Sequence, residues 1–163
     1  MSVRARAVLG LLVCVPLLSG CAVQGLDFRT DTRLAITTPA DRATVAVPFP
    51  LAWTLAAQQP HEAGFAVLVD VDPPAPGRAM STLLPESQQD VASCDAACQQ
   101  QALEARGVTL TTATSLVIDA LPRRSDIPAE RAHRHRLTVV VVDSEGRRAG
   151  EVSASVVVDE EMP

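Results

Sequence analysis

Beyond residue 31, apolar and polar residues alternate along most of the chain, and a period of two marks strands that bury one face against a core. Leu34 and Ile36 begin a first short strand. Residues 44–47 and 49–55 follow, separated by Pro48, with Leu51, Trp53 and Leu55 on one face. Residues 65–71 place Phe65, Val67, Val69 and Val71 on one side and Leu68 on the other. The run Asp72-Pro73-Pro74-Ala75-Pro76-Gly77 ends that strand, because prolines lack the N–H a ladder needs and favour a stiff, extended loop.

Residues 86–106 break the alternation. They are rich in Gln, Ala and Glu, with Ser93 or Asp90 available as N-cap and Gly107 just past the end, so a short helix is predicted over 94–106. Strands resume at 108–112 and 116–121, the second closed by Pro122; residues 123–134 form a polar loop with charges of both signs. Residues 136–143 are apolar at adjacent as well as alternate positions (Leu137, Val139, Val140, Val141, Val142), which predicts burial on both faces. A turn at 144–147 leads to a last strand at 151–158, and residues 159–163 read as a frayed acidic tail. Several short strands with turn signals between them and one helical insert predict an all-β antiparallel sandwich of about seven strands.

The N-terminus carries a different pattern. Arg4 and Arg6 precede an apolar run over 7–18 that ends in Leu18-Ser19-Gly20-Cys21. This resembles a bacterial lipobox signal peptide. The apolar run is too short to span a bilayer, which takes roughly 20 residues, and Pro16 interrupts it. The resemblance implies cleavage after residue 20 and diacylation of Cys21, giving a lipid-anchored, extracytoplasmic protein whose residues 21–31 act as a tether.

Cleavage would leave 143 of the 163 residues, enough for one domain with a real core over 32–158. Removing Arg4 and Arg6 takes the formal charge from −5 to −7, a balance that disfavours nucleic acid as a partner. All basic residues are Arg and none is Lys, which fits genomic base composition and carries no functional reading.

With Cys14 in the signal and Cys21 lipidated, Cys94 and Cys98 are left in an oxidising compartment. One helical turn would place their Cα atoms about 6 Å apart, within disulfide reach. A disulfide is therefore predicted.

The run Leu51-Ala52-Trp53-Thr54-Leu55, then 65–70, then 116–122, then 135–146 with a final strand, resembles a fibronectin type III or immunoglobulin-like domain. Leu121-Pro122, Val139, Val141, Asp143 and Gly146 match the most specific part of the type III pattern, whereas the tyrosine that opens the penultimate strand in that family falls on His135. The link from Pro122 to His135 is longer than usual and the chain has no tyrosine, so a standard tyrosine corner is not expected. Val69-Asp70 before the Pro-Pro-x-Pro-Gly loop, the paired-cysteine insert and the turn from Asp143 to Gly150 also resemble uncharacterised surface proteins of high-GC Gram-positive bacteria, a resemblance that implies no activity.

Candidate chemistry is sparse. Trp53, Phe65, Val139 and Val141 are expected in the core, and with one Trp, three Phe and no Tyr an aromatic platform for sugars is not favoured. No G-x-S-x-G elbow, S-x-x-K, H-E-x-x-H or Gly-rich phosphate loop occurs, so no catalytic residue or cofactor is assigned and the chain is not expected to be an enzyme. Asp70 and Asp72 could hold calcium at a loop end, although a polar strand end explains them more simply. His133 and His135, flanked by arginines, read as a solvated strand entry.

The expected role is a non-catalytic binding or structural module that engages another envelope protein, with the insert over 72–106 as the candidate surface, separable from the sandwich. The alternative is a copper- or zinc-handling envelope protein using Cys94, Cys98 and His135.

Overall fold

Alternation becomes two packed sheets. The structure is a computed structural model and describes residues 32–90, 94–122 and 132–161. Residues 1–31, the stretch expected to hold the signal, lipobox and tether, fall outside them, as does most of the 123–134 loop. One sheet has three strands in the order β1 (Leu34–Thr38), β3 (Phe49–Leu55), β6 (Ser115–Ile118). The other has five, in the order β2 (Ala43–Val45), β8 (Arg148–Glu160), β7 (Arg134–Val142), β4 (Gly64–Val69), β5 (Val108–Thr111). All pairs are antiparallel except β2 with β8, which is parallel. This is an immunoglobulin-like, fibronectin type III-like sandwich with a helical insert between β4 and β5.

The space between the sheets is filled from both sides. Leu34, Leu51, Trp53 and Ile118 of the smaller sheet meet Phe65, Val67, Leu137, Val139, Val141 and Val158 of the larger, all buried. Trp53 stands edge-on to Phe65, with ring centroids 5.4 Å apart and planes at 70°, a favourable arrangement for aromatic quadrupoles. Val139 and Val141 are fully buried between the sheets.

The insert departs from expectation. A 3-10 helix (Met80–Leu83), a single-turn helix α1 (Glu86–Gln89) and helix α2 (Ala96–Glu104) lie across the outer face of the larger sheet. There Met80, Leu84 and Leu103 close over Ala66, Leu68, Val108, Val140 and Val142. Hence all six residues of β4 are buried. In β7, Arg134 and Arg136 alternate with buried His135 and Leu137 until Thr138, after which every residue is buried.

Hydrogen bonds tie the insert to the β7–β8 turn: Gly77 N–H to Arg148 O at 2.8 Å, Arg148 N–H to Arg78 O at 2.9 Å, and Met80 N–H to Gly146 O at 2.9 Å. Arg106 Nη1 donates to Leu83 O at 2.7 Å, locking the end of α2 to the 3-10 turn. The segment over 72–106 is thus a third layer of the core, not a separable appendage.

Other boundaries moved for physical reasons. Helix α2 starts later than predicted because Asp95 caps it, accepting from Cys98 N–H at 2.9 Å in place of Ser93 or Asp90. Gly107, with φ +77°, ends it, and its open side faces the backbone of Val69. The acidic end does not fray at Asp159 and Glu160, which stay in β8 opposite Thr44 and Val45, while Glu161 N–H donates to Val45 O at 2.8 Å. No helix among the described residues is long and apolar enough to cross a membrane.

Candidate functional site

The positions singled out for chemistry separate into two places. Cys94 and Cys98 sit at the start of α2 and form a disulfide, with Cα atoms 5.2 Å apart. Cys94 is buried and Cys98 exposed. His135 lies in β7 on the parity of Leu137, Val139 and Val141, the face turned towards the smaller sheet, whereas the disulfide belongs to the layer on the opposite face. The cysteines are bonded to each other and are not brought to the histidine, so the set Cys94, Cys98 and His135 is not a metal centre. Among the described residues no three His, Cys, Asp or Glu side chains converge to hold a metal ion.

His135 contradicts the reading of a solvated strand entry, for it is 1% exposed. Its burial follows from register: β4 ends beside it at Val69, paired with Leu137, and β8 places Val158 directly opposite. The chain then turns at Asp70, which adopts the left-handed region at φ +57°, a conformation Asp tolerates better than most residues. That turn points the carboxylate back at β7. Asp70 Oδ2 lies 2.6 Å from His135 Nδ1, and Asp70 Oδ1 accepts from Arg136 N–H at 2.8 Å. Asp70 N–H donates to Arg136 O at 2.9 Å. One aspartate therefore closes the end of the β4–β7 ladder with backbone and side chain together.

An ionised carboxylate only accepts, so the short contact puts a proton on Nδ1. Nε2 is buried with no hydrogen-bond partner among the described residues, and 3.7 Å from it lies Glu160 Oε2. Two residues away, His133 Nε2 is 3.9 Å from Asp159 Oδ1, which also accepts from Arg134 Nε at 3.0 Å. Arg136 pairs with the exposed Asp72, an ion pair worth little in water. Asp70 and Asp72, offered as calcium ligands, are thus engaged with His135 and Arg136.

At the opposite end of the sandwich a second polar centre was missed from sequence. Glu62, 4% exposed, takes both guanidinium nitrogens of Arg33, at 2.8 and 3.2 Å, and Gln59 N–H at 2.7 Å. Burial pushes its carboxyl up, but the hydrogen bonds and charge of Arg33 and the Gln59 amide outweigh burial and hold it below the usual carboxylate range. This arrangement shapes the β3–β4 loop. A lone Glu between Gln59 and Gly64 carries no periodic signal that would have marked it.

A solved structure of fibronectin(III)-like modules of Clostridium thermocellum CbhA is similar to this chain at 11% identity and a TM-score of 0.37, covering 79% of this chain and 99% of that one. No protein-family model and no curated protein matches. The fold class accordingly rests on the strand order and packing described above.

Proposed function

We propose that this protein is a lipid-anchored, extracytoplasmic module that works by binding or by structural support, engaging another protein of the cell envelope. A sandwich of this class fits a non-catalytic binding or structural role. One observation carries the reading: Cys94 and Cys98 form a disulfide, which suits an oxidising compartment, in a chain whose N-terminus resembles a lipobox ending at Cys21. On this reading the signal is removed after residue 20, Cys21 carries the anchor, and residues 21–31 hold the domain off the membrane on its outer side.

The test is an affinity pull-down of the full chain from its own membranes after in-cell crosslinking, with Cys21→Ala as control. Recovery of one dominant envelope protein, lost in the control, supports an anchored binding module. Recovery of nothing from the intact lipoprotein rejects the partner-binding form of the reading.

A further inference from the structure

We propose that His135 is a proton-operated latch that fastens the C-terminal end of β8, and with it the edge strand β2, to the rest of the larger sheet.

The fold holds a polar mismatch at the His135 ring. With Nδ1–H spent on Asp70, the neutral imidazole presents a lone pair at Nε2, and the nearest charged group there is the carboxylate of Glu160 at 3.7 Å. Nε2 is buried without a hydrogen-bond donor, and the partly exposed carboxylate that faces it is a second acceptor, so neither satisfies the other. A second proton on the ring removes the conflict. The imidazolium then stands between Asp70, just past β4 and 2.6 Å from Nδ1, and Glu160 of β8, whose carboxylate 3.7 Å from Nε2 attracts the new charge.

The groups around the ring give the latch its direction. From the turn after β4 comes Asp70, from β8 Glu160, and just before β7 lies His133, whose Nε2 is 3.9 Å from Asp159. Strand β2 (Ala43, Thr44, Val45) contributes no charge. Arg134 and Arg136 occupy the opposite parity and pair with Asp159 and Asp72. Charging the ring therefore brings attraction from both carboxylates. The protonated latch is closed and the neutral latch is slack.

Glu160 is also where the sheet edge is secured. Val45 of β2 is its register partner, Glu160 N–H donates to His133 O at 2.7 Å, and Glu161 N–H donates to Val45 O at 2.8 Å. Releasing the Glu160 end loosens the short β2 pairing and uncovers the hydrogen-bonding edge of β8. The protonated ring, and not the neutral one, therefore secures the edge.

The experiment is amide hydrogen exchange on the full chain in its oxidised form at pH 5 and pH 8, reported as protection factors for Glu160 and Glu161. Wild type is expected to lose protection by roughly tenfold on going to pH 8. In Glu160→Gln the side-chain amide can donate to the neutral Nε2, so protection should stay level across the range. His133→Gln should keep the wild-type pH dependence. Protection independent of pH in the wild type, persistence of the loss in Glu160→Gln, or its disappearance in His133→Gln would each overturn the proposal.

Discussion

Arg33, the residue before β1, grips the buried carboxylate of Glu62 through two hydrogen bonds and so fixes the β3–β4 loop to the start of the first strand. The same guanidinium reaches Ala57 O at 2.9 Å, and Gln58 Nε2 donates to the backbone carbonyl of Glu62 at 2.6 Å, so Arg33 and Glu62 together organise the loop.

Replacing that carboxylate should be costly near neutral pH and cheap in acid. Glu62→Gln is expected to lose about 1–3 kcal/mol at pH 7, because the amide satisfies Arg33 poorly. The folded carboxyl titrates below the unfolded one. Its contribution is therefore complete above the unfolded value, about pH 4.3, and is lost as pH falls through the folded value. Urea midpoints at pH 7 and pH 3 check this: the gap between wild type and variant should narrow in acid.

The helical insert behaves as core. Leu103→Ala, which opens a hole between α2 and Val108, should cost about 2–5 kcal/mol, the range for a buried leucine. Deleting residues 72–106 would bare Leu68, Val140 and Val142 together. The shortened chain is expected to lose cooperative thermal unfolding and to bind a hydrophobic dye, an outcome opposite to the separable insert that the sequence suggested.

The disulfide closes a loop of only five residues, so the chain-entropy treatment gives it about 2 kcal/mol. Differential scanning calorimetry with and without a reductant should show a drop in Tm with unfolding still cooperative. Collapse of the fold on reduction would mean that the bridge holds more than the start of α2.

Gly107 should resist any side chain. A Cβ there would sit 2.9 Å from Val69 O, in a backbone conformation at φ +77° that L residues avoid. Val69 N–H donates to Gly107 O at 2.8 Å, so any shift of this residue would also disturb the end of the β4 ladder. Gly107→Ala is expected to lose about 1–3 kcal/mol by chemical denaturation.

Much of the sandwich was legible because burial in strands is written as period. The doubly apolar stretch over 136–143 announced a strand buried on both faces, and Leu51, Trp53 and Phe65 announced the facing layers. The cover over that second face was not legible, since Met80, Leu84 and Leu103 are scattered through a segment with neither strand nor clear helix period. His135 was misread for a related reason: flanking arginines suggested solvent, whereas alternation put them outside and the ring inside. A signal existed. A polar residue in the slot that the fibronectin type III pattern gives to a tyrosine needs a buried partner, and Asp70, at the end of the neighbouring strand, supplies it.

The central claim, an exported and lipid-anchored sandwich, is tested most directly by the intact mass of the protein extracted from its native membranes, measured with and without thiol alkylation. The account predicts a chain that begins at Cys21, carries a diacylglycerol mass there, and shows no alkylatable thiol at Cys94 or Cys98. A chain that retains residues 1–20, lacks lipid and takes up alkylating groups at both cysteines would contradict it.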